Sequence, residues 1–363
     1  MSLHFSTFKN SNYFLERLWD LWCIGSLVGI WPRFIEPRLL LTSHHTIPIA
    51  SLPNELDGFT IVQISDLHYS SYVSPRFLKR IAQRIRKLNP DLIVFTGDLL
   101  SYAELEDPAP LQEFLSSLSA PFGCFAIFGN HDYRDYVSLA EDGTCRLIHD
   151  HTPPLLRGFS RLFSSKKPTF DPEVTEPIPE HAQLKKIFTD SGFHVLHNET
   201  VKIGTLSARL NVTGLGDIMA NQCLPHLAFT ETDPRFPSIV LSHNPDSYPL
   251  LAPYPGDLLL FGHTHGGQVN LPYIWEKVTP LKNKALKSGL ISIDNRFLYI
   301  NRGLGATFPF RWFAPPEITK ITLVRSGLIK SNVFTPIFAE EKISEATAWR
   351  STVASMKSEL YEE

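Results

Sequence analysis

The chain has 363 residues, with 34 lysines and arginines against 37 acidic residues and a formal net charge of −3. That length accommodates one large domain or two modest ones, and the near-neutral balance supplies no global field to attract nucleic acid. Four cysteines, Cys23, Cys124, Cys145 and Cys223, stand far apart without a CxxC pair, which argues against a disulfide scaffold or a zinc-thiolate site and fits a reducing compartment.

Leu18 to Trp31 (LWDLWCIGSLVGIW) is an apolar run carrying one acid, Asp20. It is short for a transmembrane helix, which needs about 20 apolar residues, and no clean small-residue cleavage site follows it. Trp19, Trp22 and Trp31 suit a membrane interface. An interfacial helix and a helix packed on the domain surface both satisfy this pattern. Phe59 to Ser65 (FTIVQIS) reads as a buried strand ending at Asp66. Pro75 to Leu88 places Phe77, Leu78, Ile81, Ile85 and Leu88 on one helical stripe, with Pro75 in the first turn and Asn89-Pro90 as the stop. Asp91 to Thr96 and Phe125 to Phe128 read as two more buried strands. They end at Gly97-Asp98 and Gly129-Asn130-His131-Asp132. Polar groups just past the C-terminal ends of strands are where open α/β sheets place their sites.

Residues 133–181 break this rhythm with Pro153-Pro154, Pro168, Pro172, Pro177 and Pro179. A long insertion of this kind is functional or disordered. Its middle, Arg157 to Lys167, alternates basic residues with Phe159, Leu162 and Phe163. Strand-like runs resume at Ile239–Ser242 and Leu258–Phe261, then at Gly289–Ile293, Phe297–Ile300 and Ile318–Val324, and suggest a second sheet facing the first. Ala339 to Glu363 is charged and helix-compatible, a surface helix or frayed tail. The expected organisation is an N-terminal segment 1–55, a domain 56–328 with its insertion at 133–181, and a tail 329–363.

The polar groups at the strand ends, in order, are Asp66-Leu67-His68, Gly97-Asp98, Gly129-Asn130-His131-Asp132, Ser242-His243-Asn244 and Gly262-His263-Thr264-His265. All are hard or borderline ligand types, and a mixed oxygen and nitrogen set suits Mn²⁺, Fe or Zn²⁺ better than Mg²⁺ or Ca²⁺. Residues i and i+2 of an extended segment point the same way, so the D-x-H and H-x-H pairs can each reach one site. Glycines before Asp98, Asn130 and His263 allow sharp turns out of the strands.

This block set resembles the calcineurin-like metallophosphoesterase superfamily over about Phe59 to Val324. The resemblance implies an α/β fold, a four-layer sandwich of two facing mixed sheets flanked by helices. It implies one divalent metal on Asp66, His68 and His265 and another on Asn130, His243 and His263, with Asp98 between them. His131 would contact the phosphate or protonate the leaving oxygen. Asp132 would orient His131 or cap a turn rather than bind metal, the structural role being favoured.

Ile35-Glu36-Pro37-Arg38, Gly266-Gly267-Gln268, Asn301-Arg302-Gly303-Leu304-Gly305 and Pro315-Pro316-Glu317-Ile318 look like the membrane-associated bacterial branch of that superfamily. There Arg302 is either a phosphate or uridine contact or one half of a structural salt bridge, and Asp217 is read as a turn residue. The basic and aromatic insertion is similar to that of the chlamydial-type UDP-2,3-diacylglucosamine pyrophosphohydrolases of lipid A biosynthesis. Such a likeness implies hydrolysis of a lipid-linked nucleotide by a peripheral protein on the cytoplasmic face of the bacterial inner membrane. Phe159 and Phe163 would then meet acyl chains and Arg161 anionic headgroups. A solvated loop is the other reading of that segment. The same metal site would serve a broad-specificity phosphodiesterase on soluble esters. A non-catalytic scaffold of the same fold would be expected to lack some of these ligands.

Overall fold

The computed structural model describes residues 7–326 apart from 103–104, 106, 136, 140–143, 148–155, 157–159, 161–162, 164–173, 175, 280 and 294. The expected tail, 329–363, lies outside the described residues, as does much of the insertion.

The first sheet contains Leu41–Ile49 (β1), Thr60–Ile64 (β2), Leu92–Thr96 (β3), Cys124–Ile127 (β4), Phe193–Val195 (β7) and Glu317–Arg325 (β14), in the order β1-β14-β2-β3-β4-β7. The second contains Glu199–Gly204 (β8), Arg209–Gly214 (β9), Ser238–Leu241 (β10), Leu258–Phe261 (β11), Gly289–Ile293 (β12) and Arg296–Ile300 (β13), in the order β12-β13-β11-β10-β9-β8. The parallel strands β2, β3, β4, β10 and β11 are continuous apolar runs because both of their faces are covered.

Packing sorts the side chains into layers. Ile61, Val94 and Ile127 of the first sheet meet Val212, Ile239, Leu241 and Leu260 of the second, so the two sheets face each other. On the outer side of the first sheet, Val62, Ile93 and Phe95 pack against helices Pro75–Lys87 (α2), Ala109–Ser116 (α3) and Ala182–Asp190 (α4). On the outer side of the second, Val240, Leu259 and Phe261 pack against Tyr248 and Leu251. The expected four-layer sandwich is the observed architecture. Helix α2 illustrates its local logic. The Ser74 hydroxyl accepts the Phe77 N–H, Pro75 occupies the first turn, and Leu78, Ile81, Ala82 and Ile85 form the buried stripe. Each of its large apolar side chains contributes about 1.5–3 kcal/mol on burial.

Two expectations are corrected. Ile318–Val324 does not join the second sheet. It lies within β14, between β1 and β2 of the first. An apolar run carries no label for its sheet. Here Ile321 and Leu323 enter the inter-sheet core while Ile318 faces the helices. The boundary at 55/56 also cuts the sheet, because β1 pairs with β14 from Leu41↔Glu317 to Ile49↔Arg325. Its polar sequence, LTSHHTIPI, hides that membership.

At the N-terminal end a helix spans Thr7–Gly25 (α1) and continues as a π-helical stretch, Ser26–Ile35. In the insertion, Val137–Leu139 (β5) and Cys145–Leu147 (β6) form an antiparallel hairpin that the sequence pattern does not announce.

Candidate metal centre

The chain leaves β2, β3, β4, β10 and β11 at one edge of the sandwich, and the polar residues there converge. Asp66, His68 and His265 bring one ligand atom each to within 4.8 Å of one another, and so do Asp98, His243 and His263. All six are buried. Asp66, His68, Asp98, His263 and His265 have φ between 46° and 69°. Non-glycine residues occupy this left-handed region rarely and at a cost, and such strain gathers at functional sites. A Cβ on Gly262 would collide with Ser65 and with the Asp66 carboxylate, so only glycine permits this approach of β11 to β2.

Asp98 stands between the clusters. Its Oδ1 accepts the His131 N–H at 2.9 Å, while its Oδ2 lies 3.5 Å from His68 Nε2 and 3.2 Å from His243 Nε2. His68 Nε2 is 3.0 Å from His265 Nε2, which is 3.6 Å from Asp66 Oδ1. Donors held at about 2.1 Å around one ion lie about 3–3.5 Å from each other, so these spacings suit cations. His243 donates Nδ1–H to the Thr96 carbonyl at 2.7 Å, and its buried Nε2 makes no hydrogen bond. Asn130 donates its amide to Val137 O on β5 at 2.6 Å, which turns Oδ1 toward His263 Nδ1, 2.9 Å away. The residues present therefore fit a pair of divalent ions.

Burial and mutual charge pull these groups in different directions. Burial pushes the Asp66 carboxyl up to about 7, with the nearby Asp98 charge adding to the effect. Burial acts the same way on Asp98, but the His243 and His131 charges outweigh it and hold Asp98 well below the carboxylate range. His243 is the complement: burial lowers its pKa, and the Asp98 carboxylate raises it well above the usual imidazole range. Burial lowers His68 and His265, which keeps both rings neutral and ready to act as ligands.

A family model for calcineurin-like phosphoesterases matches residues 59–267, which include every one of these donors. The chain belongs to that family. This phosphoesterase is 42% identical over 305 residues to the UDP-2,3-diacylglucosamine pyrophosphatase LpxG of Chlamydia muridarum, covering 80% of its own chain and 92% of the relative. The protein of the same name from Chlamydia trachomatis is 41% identical over 305 residues, with the same coverage. Phosphodiesterase YaeI of Escherichia coli is 29% identical over 294 residues, covering 81% of this chain and 89% of the relative. Family and site together make the protein a metal-dependent phosphoric ester hydrolase.

The remaining expected residues fall in different places. His131 Nδ1 lies 3.0 Å from Ser101 O, and its ring meets that of His68 edge-on at 4.8 Å. Asp132 accepts the N–H groups of Leu100 and Gly129, both at 3.0 Å, and so caps turns, as favoured. Asp217 accepts the Met219 N–H in a buried turn. Arg302 pairs with Glu317 through Nε and Nη2, each at 3.1 Å, the salt-bridge alternative. Phe159 and Arg161 lie outside the described residues, and Phe163 is 85% exposed. Sequence reasoning passed over Arg311, which is fully buried and lies 3.1 Å from His265 Nδ1. A lone arginine inside the aromatic run FPFRWF was the available signal, since a charge so placed must be paired.

Proposed function

We propose that this phosphoesterase cleaves the pyrophosphate of UDP-2,3-diacylglucosamine, giving 2,3-diacylglucosamine 1-phosphate and UMP in lipid A biosynthesis. The reading is carried by two buried donor clusters sharing Asp98 in a chain 42% identical to a pyrophosphatase of that substrate. Asp66, His68 and His265 would hold one ion, Asn130, His243 and His263 the other, with Asp98 reaching both; manganese is the proposed pair. When bound, such ions supply Lewis acidity toward phosphoryl oxygens and lower the pKa of water. The protein's own groups do the rest. Ser101 and the Asp98 carboxylate orient His131, whose Nε2 can meet the phosphate and hold a proton for the leaving oxygen. The buried donors exclude bulk water and are preorganised around the charge that develops.

The acyl chains of this substrate call for a lipid surface. Among the described residues no helix is long and apolar enough to cross a membrane. Trp19, Leu21, Trp22, Ile24 and Leu27 are nevertheless all more than half exposed along α1 and its extension, with Arg17 and Arg38 also exposed. That composition supports an interfacial helix on the cytoplasmic face of the inner membrane. Phe159, Arg161 and Phe163 are proposed to contact acyl chains and headgroup. Arg302 is proposed to contribute to the nucleotide side from its place against Gly266.

The deciding experiment is hydrolysis of UDP-2,3-diacylglucosamine in detergent with Mn²⁺, with Asn130→Ala as control. UMP release by the wild type alone is the expected result. Metal-dependent cleavage of an aryl phosphodiester without UMP release would replace this reading with a broad-specificity phosphodiesterase. Turnover of neither ester would favour the scaffold.

A further inference from the structure

Among the described residues Arg311 is the largest side chain buried without exposure. A buried guanidinium persists only where its donors are filled, and here the partners are specific. Its Nε donates to Gly305 O at 2.8 Å and its Nη1 to Ala314 O at 2.7 Å. Its Nη2 donates to Arg302 O at 2.8 Å and to Gly305 O, and lies 3.1 Å from His265 Nδ1. The loop thus gathered also grips the first donor cluster from behind: Leu304 N–H donates to Ser65 O at 2.9 Å and Gly305 N–H to Asp66 O at 2.7 Å.

The far side of this loop is fastened to the N-terminal helical stretch. The Arg311 N–H donates to Pro32 O at 2.8 Å. Glu36, only 3% exposed, accepts the Ala314 N–H on Oε1 at 2.6 Å and the Trp31 indole N–H on Oε2 at 2.8 Å. Between the two fastened residues, 311 and 314, Phe313 is 55% exposed with φ of 57°. A bulky residue keeps that conformation only where its surroundings over-determine it. Trp31, Glu36, Ala314, Arg311, Gly305 and Asp66 therefore form an unbroken path from the exposed helix to a donor of the metal centre.

We propose that Arg311 is a positioning residue for Asp66, acting through the 302–305 loop, and that Glu36 ties it to the N-terminal helix, making that helix part of the frame of the metal centre. This rests on the reading of Asp66 as a ligand. A simple tether would leave the site unchanged when loosened. This clamp transmits the seating of the helix to the carboxylate, because the loop N–H groups hold the Ser65 and Asp66 carbonyls beside a left-handed Asp66, and groups that fix a ligand's orientation set its affinity.

The test uses the full chain and needs no lipid. Glu36→Gln and Arg311→Lys are compared with wild type by calorimetric Mn²⁺ titration, Mn²⁺ electron paramagnetic resonance, steady-state hydrolysis of a soluble aryl phosphodiester and thermal melting. Glu36→Gln keeps the shape of the side chain but turns an amide donor toward the Trp31 or Ala314 N–H. The expected result is about 10–100-fold weaker binding at one Mn²⁺ site, an altered resonance spectrum, and a lower kcat with KM little changed. If Arg311→Lys does not fold, Glu36→Gln decides alone. A folded Glu36→Gln variant with wild-type Mn²⁺ binding, spectrum and kcat overturns the clamp and leaves the metal-site reading standing. A wild-type protein that binds no Mn²⁺ overturns both.

Discussion

Burial and charge pull Asp98 in opposite directions, and the charge of His243 and His131 wins. The carboxylate is thereby kept ionised between the two clusters, where its two oxygens meet groups from β2, β4 and β10. Asp98→Ala should lower turnover at least about 10²–10³-fold, the loss expected when one charge-stabilising group is removed. Alanine keeps the Cβ and with it the left-handed strain, so no gain in melting temperature is expected. Near-normal turnover with an intact fold would sink the assignment. Glu317 is a second residue whose charge is set locally. Burial alone would raise its carboxyl, but Arg302 beside it brings the pKa below its ordinary value of 4.5. A depressed carboxyl contributes stability that is fully present above that ordinary value and is lost as pH falls through the folded value. Glu317→Gln should therefore cost roughly 3 kcal/mol near neutrality, the scale of a broken buried pair. Its melting curve should converge on wild type as pH drops below 4.5. Parallel melting curves across that range would show that the pair carries no such linkage.

The elements divide into those whose pattern announces them and those whose partners do. Helix α2 and strands β2, β3 and β11 are legible because a stripe at helical spacing, or a short apolar run between turn residues, has one stable use. Strand β1 is not legible, because most of its side chains are polar or exposed and its partner is 276 positions away. Helix α1 is visible as an apolar run, but only the structure shows that Trp19, Leu21 and Trp22 stay exposed on it. Replacing Trp19 and Trp22 with serine should weaken binding to vesicles containing anionic phospholipid by about tenfold or more. Hydrolysis of a soluble ester should stay at the wild-type level. Vesicle flotation unaffected by the double substitution would remove α1 as the lipid contact.

At the scale of the molecule, two sheets deliver their C-terminal strand ends to one edge, and the site exists only there. Several imidazoles and two carboxylates packed in this space are costly unless a cation compensates. Divalent ions that bind the folded chain and not the unfolded one stabilise it by mass action, by about 2.7 kcal/mol at a free concentration 100 times Kd. Chelation should lower the melting temperature and abolish turnover, and added Mn²⁺ should restore both. A melt indifferent to chelator would place the ions elsewhere.

The sequence by itself determined the fold and the set of metal-capable donors gathered at its strand ends. D-x-H, G-D, G-N-H-D and G-H-T-H each sit within a few residues of a strand end, so their chemistry and direction follow from local backbone geometry. Tertiary structure alone decided which sheet receives β14, that Arg302 pairs with Glu317, and that Glu36 and Arg311 fasten the N-terminal helical stretch to the loop behind Asp66. The physical reason is distance along the chain. Glu36 and Ala314 are 278 positions apart, and a hydrogen bond of that span leaves no periodicity to read. It is chosen only when the packed core brings two buried polar groups together and neither has another partner to satisfy it.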